Sequence, residues 1–157
     1  DRTEKELAWT GPGQSRLQVT PLHMCMVAAS IANDGVMMEP KLLLGVTNNA
    51  GESRFNFFAR EHRIALDKPA ADTIADYMRE AVRAGTATQA AVPGIPICAK
   101  TGSSQIDGQK ETNAWFIGFI DDPKYPFAVC VVVEDAGGGG AVAAPIAGEL
   151  FKFMTGR

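Results

Sequence analysis

The seven residues Phe127-Ala128-Val129-Cys130-Val131-Val132-Val133 carry no charged or hydrogen-bonding polar group beyond one thiol, and this run restricts the fold more than any other stretch. It is too short for a buried helix and rich in β-branched residues, which makes it a strand. A strand with one wet face alternates apolar and polar residues, whereas an unbroken apolar strand is covered on both faces. Such a strand needs sheet neighbours beside residues 127–133 and packed layers on either side. Two further strands are predicted over 95–103 and 113–120, with turn chemistry at Asp107-Gly108 and at Asp121-Asp122-Pro123. The simplest arrangement is an antiparallel meander. Cys98 and Cys130 would then lie two strands apart, ~9.5 Å at the usual strand spacing, beyond the ~7 Å Cα separation that a disulfide tolerates.

The covering layers are helical. Thr20-Pro21 reads as an N-cap followed by proline in the first turn, and Gly35 stops a helix over residues 22–34. Leu22, Met24, Met26, Val27, Ala28, Ala29 and Ile31 make that helix apolar on most sides, so it is expected to be mostly buried. Asp67 caps a second helix running to about residue 84, with Ile74, Tyr77, Met78, Ala81 and Val82 at helical spacing and Gly85 as its stop. A third helix covers 143–154, with Pro145 near its start. Residues 36–46 are expected to be extended, ahead of a turn at Asn48-Asn49-Ala50-Gly51. The predicted class is α/β of the α+β type, an antiparallel sheet packed against helices, and no boundary divides residues 1–157.

Charge and cysteine content exclude several functions. A net charge of −3, with 15 basic and 18 acidic residues scattered singly, leaves no basic stripe for nucleic acid. No apolar run approaches the ~20 residues that span a bilayer. Cys25, Cys98 and Cys130 sit in apolar segments without C-x-x-C spacing, which reads as buried thiols and not as a metal site. His23 and His62 form neither an H-x-x-x-H pair nor the start of a Ser-His-Asp arrangement. Gly11-Pro12-Gly13-Gln14-Ser15-Arg16 follows no strand and fails as a dinucleotide loop. Gly94, four residues, then Ala99-Lys100-Thr101 is one substitution from a phosphate-binding loop, but Ile-Pro-Ile-Cys between them is strand-forming and no helix follows Lys100.

Lys100-Thr101-Gly102-Ser103 ends the strand over 95–103. Residues two apart on a strand share a face, so the Thr101 and Ser103 hydroxyls point the same way, and Gly102 leaves the backbone between them open. Two hydroxyls, a cation and a bare strand edge suit an extended peptide ending in a carboxylate.

These residues resemble the transpeptidase domain of penicillin-binding proteins, of the class B type. Lys100-Thr101-Gly102 matches the K-T-G motif of that superfamily. Gly13-Gln14 with Val19-Thr20-Pro21-Leu22, Gly85-Thr86-Ala87, Ala114-Trp115-Phe116-Ile117-Gly118-Phe119, and Gly139-Gly140 with Ala143-Ala144-Pro145-Ile146-Ala147 resemble further landmarks of the family, in its order. The resemblance implies a D,D-transpeptidase that cross-links peptidoglycan stem peptides and binds β-lactams outside the cytoplasmic membrane, anchored through a segment that precedes this chain. Thr101, Gly102 and Ser103 would bind the substrate, Thr101 and Ser103 holding its carboxylate. Lys100 would supply positive potential and assist proton transfer, and the Ser103 N–H would be one donor of the oxyanion hole. No metal or organic cofactor is implied.

One departure bears on activity. Ser15, Ser30, Ser53, Ser103 and Ser104 are followed three residues on by Gln18, Asn33, Asn56, Ile106 and Asp107, so the chain holds no S-x-x-K, nor an S-x-N. It therefore resembles the C-terminal portion of the domain, inactive alone, with the nucleophile-bearing N-terminal part as its partner and self-association of the fragment as an expected consequence of its missing neighbours. A non-catalytic β-lactam receptor of the same fold is the alternative reading.

Overall fold

A computed structural model describes residues 18–105 and 110–157, together with Glu4 and Ala8. The Gly13-Gln14 landmark and the Asp107-Gly108 turn lie outside the described residues. Helix α1, Pro21–Ala32, starts as expected: the Thr20 hydroxyl accepts the His23 N–H at 3.2 Å, with Pro21 in the first turn. After it Gly35 takes φ +89°, and a Cβ there would lie 2.2 Å from the Leu66 carbonyl oxygen. That close approach lets the chain turn into a ribbon in which β1, Val36–Met38, pairs antiparallel with β4, Glu61–Ile64.

The single extended run expected over 36–46 is interrupted. β1 ends at Met38, Pro40 follows, and β2, Gly45–Thr47, belongs to a separate hairpin with β3, Ser53–Asn56. The turn between them is the expected one, with Asn48 Oδ1 accepting the N–H groups of Ala50 and Glu52 at 3.0 and 2.9 Å. Asp67 caps α2, Lys68–Ala84, by accepting the Ala70 N–H, and a 3-10 turn at Thr88–Ala90 leads to the main sheet. That sheet is the meander β5-β6-β7: Ile97–Ser104, Asn113–Ile120 and Ala128–Val133, antiparallel throughout. Helix α3, Ala143–Thr155, closes the chain.

The two faces of the sheet carry separate cores. On one, Ile97, Ala99, Phe116, Ile120, Val129 and Val131 pack against Ala144, Ala147 and Phe151 of α3. Phe116 meets Phe151 edge-on, with ring centroids 6.3 Å apart. On the other, Cys98 and Phe119 pack against Ala28 and Ile31 of α1 and Met78 of α2. All three cysteines are free thiols, and Cys98 and Cys130 sit in different strands opposite Phe119 and Ile117 respectively.

Burial is less complete than the sequence leads one to expect. Val129 and Val131 are buried, while the other residues of β7 are half-buried. β7 is an edge strand of its sheet. The Ile120 N–H donates to the Phe127 carbonyl, so by antiparallel alternation Ala128, Cys130 and Val132 turn their N–H and C=O groups away from β6. Helix α1, expected to be buried on most sides, leaves Leu22 59% exposed. Its inner side rests on the sheet, and among the described residues no layer covers the opposite side.

An apolar strand edge of this kind pairs readily with other chains. This chain alone is expected to self-associate, its sedimentation coefficient rising with concentration and its melting broad. A sharp, concentration-independent transition from a monomer would contradict that.

Candidate active site

The residues singled out in the sequence lie at the C-terminal end of β5, and strand pairing decides which way each group points. The Asp121 N–H donates to the Pro96 carbonyl at 2.8 Å, marking that pair as hydrogen-bonded. Counting along the register, Cys98, Lys100, Gly102 and Ser104 exchange backbone hydrogen bonds with Phe119, Ile117, Trp115 and Asn113. Ile97, Ala99, Thr101 and Ser103 then point their N–H and C=O groups to the outer edge, where β5 has no strand partner among the described residues. The Lys100 ammonium agrees with this: its Nζ folds over that edge and donates to the Thr101 carbonyl at 2.5 Å.

The side chains divide between the faces. Lys100 leaves the strand on the face of Trp115 and Ile117, Thr101 and Ser103 on the face of Phe116 and Ala114. Lys100 and Thr101 thus approach the edge from opposite sides. Lys100 and Ser103 are exposed. Thr101 is only 8% exposed, and its hydroxyl lies 2.6 Å from that of Thr86. The Ser103 hydroxyl accepts the N–H of Gly139 at 3.2 Å. At Gly102 a methyl group would meet only the Trp115 Cβ, at 3.4 Å, so its backbone is open on that face. Trp115 is tied down by donating its indole N–H to the Ser104 hydroxyl at 3.0 Å.

Two segments that are remote in sequence converge on this strand end. The turn at Gly85-Thr86-Ala87 brings the Thr86 hydroxyl to Thr101. The glycine segment crosses the β5-β6 pair so closely that a Cβ on Gly139 would lie 2.4 Å from both the Gly102 and Trp115 carbonyl oxygens, and one on Gly140 would lie 2.5 Å from the Thr86 carbonyl oxygen. Thr86 and Gly139 are contacts that sequence reading does not assign. Thr86 stands 15 residues before Thr101, and no strand or helix period links them.

Other nucleophile candidates lie elsewhere. Burial pushes the Cys98 and Cys130 thiols up to about 11 and raises that of Cys25, which keeps them protonated and unreactive near neutral pH. His23 and His62 are exposed, on α1 and β4. Among the described residues no group of three or more His, Cys, Asp or Glu side chains is placed to hold a metal ion.

The chain as a whole is similar to known proteins in sequence and fold. The family described as penicillin binding protein transpeptidase domain matches residues 2–152. The peptidoglycan D,D-transpeptidase PbpA of Mycolicibacterium smegmatis is 36% identical over 151 residues, covering 89% of this chain and 30% of that protein. The D,D-transpeptidase domain of a peptidoglycan glycosyltransferase from Eggerthella lenta superimposes with a TM-score of 0.85 at 31% identity, over 96% of this chain and 38% of that one. Penicillin-binding protein A from M. tuberculosis, solved as a penicillin G acyl-enzyme complex, superimposes with a TM-score of 0.82 at 27% identity, over 96% of this chain and 35% of that one. The chain spans about 30% of the length of the first curated relatives it matches.

The crossing at Gly139 gives a direct test of the convergence. Gly139→Ala is expected to lower stability by about 1–3 kcal/mol, as overpacking does, because the methyl group meets backbone that cannot rotate away. Gly138→Ala, with nothing within 4 Å of its added methyl, is the control and should shift the thermal midpoint little. Equal midpoints for the two variants would contradict the crossing.

Proposed function

The chain belongs to the penicillin-binding protein transpeptidase family, and on that footing we propose that it supplies the K-T-G-S wall of a peptidoglycan D,D-transpeptidase active site. Its substrate would be a stem peptide ending in two D-alanines, or a β-lactam in its place. The observation that carries the reading is the open outer edge of β5, where the Ser103 N–H, the Lys100 ammonium and two hydroxyls meet within four residues.

An extended stem peptide can lie along that edge and pair with the outward-facing backbone groups of Thr101 and Ser103, sharing the Thr101 carbonyl with the Lys100 ammonium that already donates to it. Its terminal carboxylate is held by the Thr101 and Ser103 hydroxyls, while the Lys100 charge favours an anion beside them. A serine from the nucleophile-bearing part of the domain attacks the penultimate carbonyl carbon. The Oγ–C bond forms, the C–N bond to the last residue breaks, and the departing amine leaves with the proton given up by the serine. In the tetrahedral intermediate the carbonyl oxygen is negative, and the Ser103 N–H donates to it. A preorganised donor of this kind typically lowers the barrier by ~3 kcal/mol.

Residues 1–157 are on this reading the C-terminal portion of the domain, and the protein works outside the cytoplasmic membrane. No helix among the described residues is long and apolar enough to cross a membrane.

The test is acylation by a fluorescent penicillin, followed by intact mass. This chain alone is expected to form no adduct, because it has no S-x-x-K. In the intact protein Lys100→Ala and Thr101→Val are expected to slow acylation by about a hundredfold, the scale of a lost charge-stabilising contact, with the fold retained by circular dichroism. Unchanged rates would remove these residues from the site. An intact wild-type protein that binds penicillin reversibly and is never acylated would instead be a receptor.

A further inference from the structure

The two hydroxyls placed at the carboxylate are each engaged from inside the protein, and the direction of those bonds matters. The Gly139 N–H can only donate, so Ser103 Oγ is an acceptor there, at 3.2 Å, and its own proton remains available. At the Thr86–Thr101 contact, 2.6 Å between two hydroxyl oxygens, either could donate. A carboxylate has no proton to give, so Thr101 can hold one only by donating to it. Its single proton is then committed outward, and the 2.6 Å contact survives only if Thr86 donates to Thr101. The opposite polarity would turn a Thr101 lone pair toward the anion.

We propose that Thr86 is a positioning residue of the carboxylate site, donating to Thr101 so that the Thr101 hydroxyl donates outward beside Ser103. Thr86 thereby does for Thr101 what the Gly139 amide does for Ser103. The two inner donors come from segments on either side of β5 in sequence, the turn after α2 and the loop before α3, and both reach the same face of the strand. Thr86 itself is exposed, so water can meet the lone pairs that its donation leaves free, while Thr101, buried, depends on the protein for its partner. The proposal rests on the assignment of Thr101 and Ser103 to the substrate carboxylate.

The experiment compares acylation of the intact protein by benzylpenicillin and by its methyl ester, which carries no negative charge at that position. The variants are Thr86→Val, which keeps the shape without the hydroxyl, and Thr86→Ser, which keeps the hydroxyl. Wild type is expected to prefer the acid. Thr86→Val is expected to lose about tenfold in the second-order rate with the acid, the usual scale of a hydrogen bond to a charged group, and to react with the ester at the wild-type rate. Thr86→Ser is expected to retain the preference. Should Thr86→Val melt early, Thr86→Ala serves in its place. An unchanged preference in the hydroxyl-free variant, or an equal loss with acid and ester, would overturn the role of Thr86 alone. A wild type that is acylated but shows no preference for the acid would overturn the carboxylate assignment, and a wild type that is not acylated would overturn the functional reading as a whole.

Discussion

Everything at the site depends on the pairing of β5 with β6. An antiparallel pair gives each residue of an edge strand one of two fates: its backbone groups bond inward to the neighbour or point outward to whatever approaches. Residues Thr101 and Ser103 have the second fate. The same two-residue period puts their side chains on one face and Lys100 on the other. A slip of one residue would reverse every assignment, burying the Lys100 ammonium and exposing Thr101. Burying an unpaired ammonium is costly enough to hold the register firmly.

The core fixes that register. Phe116 stands opposite Thr101 and packs edge-on against Phe151 of α3, while Phe119 stands opposite Cys98 and packs between α1 and α2 on the other face. Anchored by aromatic rings on both faces, β6 offers β5 a fixed template. The free end of β5 is then clamped a second time, by Thr86 and by the Gly139-Gly140 crossing. Those two contacts explain why landmarks so far apart in sequence accompany the K-T-G strand: they close on one point in space.

Much of this was legible in residues alone. Thr20-Pro21 and Asp67 marked the helix starts because caps are local chemistry, and the three strands of the meander announced themselves by apolar content and turn residues. The same-face relation of Thr101 and Ser103 follows from strand geometry and needs no tertiary information. β3 and β4 were not legible, since Ser-Arg-Phe-Asn and Glu-His-Arg-Ile are exposed throughout and show no buried face. The pairing of β1 with β4 spans the intervening hairpin and depends on the turn at Gly35, a contact with Leu66 that no local pattern reveals. The burial of α1 was overestimated, because an apolar sequence records what a helix can bury and not what lies against it. Thr86 escaped for a similar reason. Its partner is set by how the turn after α2 returns to the sheet.

The central claim is that the Thr101 and Ser103 amides face outward and the Ser103 amide receives ligand. Hydrogen exchange followed amide by amide by NMR, in the intact protein before and after reaction with penicillin, tests it most directly. The account requires Gly102 and Ser104 to be protected in the free protein, Thr101 and Ser103 to exchange fast, and Ser103 to become protected once acylated. Protection of Thr101 and Ser103 in the free protein, with fast exchange at Gly102 and Ser104, would mean that the strand turns its other set of amides outward, and the account would fall.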